Sequence, residues 1–383
     1  MLDNFEGIYG QESVKDILSG FLVNKKIPQA LLFTGPSGVG KDYMAIRFAN
    51  LLNYPLDQLA AGMFPGDSLQ EPLIRMICPL PVGKNESSDD GPYDRLTQSE
   101  IELIQEQFSR KEKNPYYSIK IARANDIKIS SIRSLTKYLS LSYDNLDYRV
   151  VLVSNAHLMN EPAQNALLKN LEEPPKGFVF ILTTSEPSQL RETIRSRCWP
   201  LEFRPLIADD VSAVLVKYFS IDQVEADVLG KISGGSVSKA LYLKEKNLFE
   251  RQASIVSFLR NALAGKLKTA FAEIRDIVSE NDSELFRLYF SLVLYWFEDF
   301  KRYLAGMREN LFFSSHIETF EKFATRYQNL DPTRAIDSIE KILYYVENNN
   351  VNMNIAGYNI MFLITSLIQE EIADEKLFLK ERY

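Results

Sequence analysis

Over the first 205 residues, short and nearly unbroken apolar runs alternate with stretches whose apolar positions recur every three or four residues. The runs ALLFT (30–34), YSIKI (117–121), YRVVLVS (148–154) and FVFILTT (178–184) are the strand candidates. The last two carry almost no polar interruption, the pattern of strands covered on both faces. Helical periodicity marks KDYMAIRFANLLN (41–53), SSIRSLTKYLSLS (130–142) and EPAQNALLKNLEE (161–173). The last helix carries Ala163, Ala166, Leu167 and Leu171 on one stripe and is stopped by Pro174 and Pro175. Strand and helix in alternation predict an α/β domain over 1–205, built on a mainly parallel sheet with helices on its faces.

Residues 56–115 break the rhythm. Gly, Pro, Ser and Asp cluster there, most densely in PVGKNESSDDGPYD (81–94), which reads as an insertion with a mobile tip. After PLEFRPL (200–206) the strand pattern ends. A small helical domain is expected over 206–246, passing through the glycine turn SGGS (233–236). A larger all-helical domain rich in Phe and Tyr follows over 247–383. No internal repeat is present.

Composition narrows the function. The 383 residues carry 44 Lys and Arg against 51 Asp and Glu, a net charge of −7 that disfavours a nucleic-acid grip spread over the whole surface and leaves room for a local basic patch. The longest apolar runs fall short of the roughly 20 residues of a membrane span, and no charged segment followed by an apolar one opens the chain. With 2 cysteines and 2 histidines, a four-ligand zinc site is not expected. These features predict a cytoplasmic chain in a reducing compartment, without membrane contact.

The chemistry is concentrated in GPSGVGKD (35–42), between the strand ALLFT and a helix. Glycines at 35, 38 and 40 let successive backbone N–H groups converge on phosphate oxygens, the helix N-terminus favours an anion, and Lys41 neutralises the β- and γ-phosphates. The motif requires Ser or Thr at its end to hold magnesium, and this chain has Asp42. A carboxylate is a hard oxygen ligand that can also bind magnesium. It also sets a negative charge against the phosphates, a repulsion of about 4 kcal/mol at ~4 Å and an effective dielectric near 20. Gly35, Gly38, Gly40, Lys41 and Asp42 therefore form a degenerate phosphate loop that binds ATP and magnesium weakly or not at all.

The second half of such a site is an acidic pair at the end of a neighbouring strand. Here VVLVS runs into SNAHLMN (154–160), and Ser154 and Asn155 stand where the acids belong. Neither is a general base at neutral pH or a charged metal ligand. Two separate losses of one function predict a chain that does not hydrolyse ATP.

The segments IPQALLFTGPSGVGK (27–41), YRVVLVSNAHLMNEPAQNALLKNLEEPP (148–175) and FVFILTTSEPSQLRETIRSRC (178–198) resemble the AAA+ clamp-loader subunits of bacterial DNA polymerase III. NFEGIYGQESV (4–14) is similar to that family's N-terminal motif, which flanks the adenine pocket. Within the family, the altered loop and missing acids resemble the delta-prime subunit rather than the ATP-hydrolysing gamma/tau subunit. The resemblance is specific over 1–205, fades by the glycine turn, and extends to the helical collar only by composition and position. It implies an AAA+ domain, a lid and a collar. It implies gamma/tau-type and delta-type subunits as partners, the sliding clamp as an indirect one, and primer–template DNA in the assembly.

It also implies residue roles. Arg197, in the intact SRC tripeptide 196–198, would act as an arginine finger on the γ-phosphate held by a neighbouring subunit; the plainer reading of Arg197 or Arg195 is a loop cap or surface ion pair. Thr183 and Thr184 stand at the first-sensor position and equally well simply end a strand. Lys239 stands where relatives often have a second-sensor arginine, but it lacks the bidentate fork. Many relatives carry a four-cysteine zinc module after the loop; only Cys78 lies there, so no zinc is expected, and Cys78, Cys198 and His157 read as structural. Lys169 reads as solvated surface, with a DNA phosphate contact as the alternative. The competing functions are an active gamma/tau-like ATPase, in which Asp126, Asp144 or Asp147 replaces the missing acids, and a DNA-binding module on a relic fold, which the net charge disfavours.

Overall fold

The structure, a computed structural model, describes residues 4–54, 69, 71–87, 90–140, 146–245, 248–279, 283–308, 311–328, 330–348 and 351–380. The chain divides into two compact units, Met1–Tyr242 and Leu243–Tyr383. Among the described residues no helix is long and apolar enough to cross a membrane.

The first unit holds a five-stranded sheet in the order β2-β3-β4-β1-β5, with β1 Ala30–Thr34, β2 Ile74–Ile77, β3 Arg149–Val153, β4 Phe178–Thr184 and β5 Trp199–Glu202. Every pairing is parallel. β3 and β4 are buried along their whole length, which explains their unbroken apolar sequence. Because β1 sits between β4 and β5 while the chain runs from it to the far edge, the C-terminal end of β1 lies at a topological switch point, where open α/β sheets hold their ligands. The phosphate loop leaves β1 there and leads into α2 Lys41–Leu51, which follows α1 Glu12–Asn24 in chain order.

Two expectations are corrected. YSIKI (117–121) is irregular, and the missing strand is β2, inside the stretch read as an insertion. A run of four residues, IRMI, with a charged residue within it is too short to stand out by pattern, whereas 117–121 alternates convincingly but pairs with no strand. The described part of the insertion is also more ordered than its composition suggests. It contains α3 Gln98–Lys113, opened by a capping box in which the Thr97 hydroxyl accepts from the Glu100 N–H and the Glu100 carboxylate accepts from the Thr97 N–H. Its described tip residues, 81–87 and 90–94, are held by Lys128, whose ammonium donates to Pro81 O (3.0 Å), Pro92 O (3.1 Å) and the Glu86 carboxylate (2.9 Å). Residues 55–68, 70, 88 and 89 lie outside the described residues.

The segment 130–142 forms two short helices, α4 Ile129–Arg133 and α5 Leu135–Ser140, rather than one; 141 and 142 lie outside the described residues. α6 Glu161–Glu172 buries Ala163, Leu167 and Leu171 against β3 and β4. The short helix α7 Glu192–Arg195 precedes β5. Three helices, α8 Ala208–Phe219, α9 Gln223–Ile232 and α10 Val237–Glu245, follow, and the boundary between the two compact units falls inside α10.

In the second unit the described helices are α11 Leu248–Leu263, α12 Leu267–Ser279, α13 Ser283–Leu304, α14 Ile317–Arg326, α15 Pro332–Asn348 and α16 Met353–Lys380. Trp296 is fully buried between Phe297, Phe300, Phe320 and Phe323, and Phe258, Tyr289 and Phe290 form a second aromatic group. Asp299 is buried beside them and accepts the Phe313 N–H at 2.8 Å. Burial raises its carboxyl to about 6 despite that bond. A carboxyl whose folded pKa is raised contributes stability at acid pH and loses it as pH climbs through about 6. Asp299→Asn is therefore expected to stabilise this unit by about 1–2 kcal/mol at pH 7.5 and by close to nothing at pH 4. Urea unfolding at the two pH values checks this, and an equal effect at both would contradict it.

Candidate functional site

The loop after β1 has the backbone of a phosphate cradle. Gly35, Gly38 and Gly40 all adopt positive φ, at 140°, 75° and 89°. At Gly35 a side chain is excluded outright, since a Cβ would lie 2.3 Å from the Phe203 carbonyl oxygen. Beside the loop lies a cavity of about 480 Å³ lined by Gly38, Lys41, Asp42, Lys111, Ser154 and Thr183, among others.

Within it the polar groups are spent on one another. Lys41 is buried and folds back, its ammonium donating to the carbonyls of Gly35 (2.6 Å) and Pro36 (2.5 Å). Burial pulls its pKa down to about 8, with Asp42 opposing the shift. Asp42 accepts from the Ser154 hydroxyl at 2.7 Å and from the Thr183 hydroxyl at 2.8 Å. Thr183 in turn accepts the Asn155 N–H at 3.3 Å. The Lys111 ammonium, from the end of α3, lies 3.8 Å from Asp42 and donates to Pro115 O at 2.6 Å. Lys111 is buried, which lowers its pKa while Asp42 works against that.

The strand ends thus meet the loop through a neutral serine, a neutral threonine and one carboxylate that already has a cation. This donor set does not fit a phosphate-bridging magnesium ion, which needs a hydroxyl on the loop and carboxylates beyond it. Asp147 precedes β3 and so lies at the opposite end of the sheet from the loop; Asp126 is exposed and does not line the cavity. Asp144 lies outside the described residues. Among the described residues no group of three or more His, Cys, Asp or Glu side chains forms a metal site. Cys78 and Cys198 are buried thiols pushed up to about 12 by burial.

The remaining candidates are dispersed. Thr184 points away from Thr183, as strand alternation requires, and its hydroxyl pairs with His157 Nδ1 at 3.1 Å. Lys239 is exposed in the first turn of α10 and does not line the cavity, but its helix does meet the loop: the Val237 N–H donates to Gly38 O at 3.0 Å and the Ser236 hydroxyl to Ser37 O at 2.8 Å. Lys169 is exposed. Arg197 follows α7 well apart from the loop, half-exposed, donating to Thr193 O at 2.9 Å and to Glu172 at 3.0 Å. Lys111 and Tyr116 escaped the sequence reading. The available signal was a lysine on the apolar stripe Ile104–Phe108–Lys111 of α3, where a cation is out of place unless it has a buried partner.

A parallel sheet with this strand order, a glycine loop after its first-numbered strand and helices closing over that loop define an α/β P-loop domain of the AAA+ class. A protein-family model described as DNA polymerase III, delta subunit matches residues 93–207. The chain is 26% identical over 250 residues to the DNA polymerase III subunit tau of Bacillus subtilis, covering 63% of this chain and 37% of that one. It is 24% identical over 358 residues to the subunit gamma of Buchnera aphidicola from Acyrthosiphon pisum, covering 91% of this chain and 87% of that one. A solved structure of a DNA polymerase III gamma subunit-related protein from Thermotoga maritima aligns over 91% of this chain and 98% of its own at 15% identity and a TM-score of 0.39. The chain is thus similar in sequence to DNA polymerase III tau and gamma subunits, and it spans well under half the length of the tau subunits it matches.

Proposed function

We propose that this chain is a delta-prime-like, non-hydrolysing subunit of a DNA polymerase III clamp loader in the cytoplasm. It serves as a stator beside gamma/tau-type and delta-type subunits while the sliding clamp is placed on primer–template DNA. Its own catalytic contribution is Arg197, presented to the γ-phosphate on a neighbouring subunit.

The observation that carries this reading is the state of Asp42. Its carboxylate takes up Ser154 and Thr183, at the strand ends through which an active site would hold its metal and water, and faces the Lys111 ammonium at 3.8 Å. The half-exposed setting of Arg197 supports the second part, because a finger must reach a partner and not its own loop. Mixing the purified chain with gamma/tau-type and delta-type subunits from the same source is expected to yield one stable complex on size-exclusion chromatography. Its ATPase should then depend on the phosphate-loop lysine of the gamma/tau-type subunit and not on Lys41. Failure to form a complex, or loss of activity on replacing Lys41 alone, would count against the assignment.

A further inference from the structure

The segment that joins the end of the insertion to Ser118 runs through the same cleft. From Lys111 to Ser118 it passes between the phosphate loop, the N-terminal segment and the helices α8 and α10, making contacts with each. Asn114 donates from its side-chain nitrogen to Tyr218 O at 2.7 Å, at the end of α8, and its side-chain oxygen accepts the Tyr116 N–H at 3.1 Å. The Ser118 and Ser238 hydroxyls lie 3.3 Å apart.

Tyr116 is the centre of this strap. Its ring is buried beside Gly40, close enough that a Cβ on that glycine would lie 3.2 Å from the ring. It packs against the rings of Tyr43 at 5.2 Å and Tyr218 at 5.1 Å, and its hydroxyl accepts the backbone N–H of Tyr9 at 3.1 Å. An anion on the loop would sit at the N-terminus of α2, and the Tyr116 ring stands directly beside that place, against Gly40 and Tyr43. Around Tyr116 stand the rings of Tyr43 and Tyr218 and the backbone N–H of Tyr9, aromatic faces and a main-chain donor of the kind that recognise a planar base with an acceptor on its edge. Tyr116 supplies both the plane and the acceptor from within the chain.

We propose that Lys111–Ser118 is an internal ligand of this cleft. Tyr116 fills the compartment a nucleotide base would take, Lys111 gives Asp42 the positive charge a bridging cation would give, and strap and nucleotide exclude each other. The proposal rests on the non-hydrolysing reading and deepens it, since nucleotide would be excluded by occupation of the cleft as well as by missing ligands.

The test compares full-length Asp42→Thr/Lys111→Met, which restores the loop hydroxyl and removes both charges together, with the triple variant that adds Tyr116→Ala. The probe is a fluorescent methylanthraniloyl-ATP with magnesium, titrated against each folded protein. The triple variant is expected to bind at least tenfold more tightly than the double variant. Equal binding by the two, or none by a triple variant that still unfolds cooperatively, would overturn the strap. Should the triple variant fail to fold, hydrogen exchange on Tyr116→Phe decides: the Tyr9 amide is expected to exchange at least tenfold faster without its acceptor, and an unchanged rate would overturn the proposal. ATP hydrolysis by the unaltered chain would instead remove the non-hydrolysing reading itself, so the two failures are distinguishable.

Discussion

A clamp-loader complex carrying Arg197→Ala in this chain is expected to assemble normally and to hydrolyse ATP about 10³-fold more slowly at the site facing that residue. In the proposed role the guanidinium stabilises charge developing on the transferring phosphoryl, and nothing else in the SRC segment repeats its planar, permanently charged fork. Arg197 is pinned by Thr193 O and by Glu172 in the chain described above, but Glu172 is about half-exposed and the pair is a surface one, worth about 0–1 kcal/mol. Releasing the arginine to a partner phosphate therefore costs little. Arg197→Lys keeps the charge and loses the fork, so it should fall between the two. Single-turnover hydrolysis in the reconstituted complex reads the effect; an unchanged rate for Arg197→Ala would end the finger assignment.

The second large effect concerns stability. Lys111→Met leaves the Asp42 carboxylate in the cleft with its hydroxyl donors and the neighbouring Lys41 but without the Lys111 ammonium, and is expected to cost about 2–3 kcal/mol. A fully buried pair broken on one side costs about 3–5 kcal/mol, and the estimate is lower here because the Asp42 side chain keeps 22% of its accessibility. Asp42→Asn/Lys111→Met removes both charges and should recover most of the loss, giving a coupling of more than about 1 kcal/mol in a double-mutant cycle. Denaturant midpoints of the four proteins supply the cycle. Additive costs would show that the two residues act independently and that the ammonium is not the counter-ion of the loop.

How far the sequence discloses this molecule depends on the range of the interactions. β3 and β4 were legible because burial on both faces leaves an unmistakable apolar run, and the loop was legible because its chemistry needs glycines and a lysine at fixed spacing. The substitution at Asp42 and the neutral residues at 154 and 155 were equally plain. β2 was not: four residues with Arg75 among them carry too little period to be told from a loop, and the strand exists because β3 offers it a ladder. The bonds from Ser154 and Thr183 to Asp42 span more than 100 positions, and no local pattern announces them. The composition of 81–94 suggested mobility because Gly, Pro and Asp favour turns; Lys128, more than thirty residues on, collects those turns around one ammonium.

On the proposed reading the loop's acid is committed to its own chain, and a metal-bound nucleotide has no place there to be cut. Release of inorganic phosphate from ATP by the purified chain alone, compared with its Lys41→Ala variant, tests this most directly. Both are expected to remain at the buffer background. Phosphate release above background that disappears with Lys41 would contradict it.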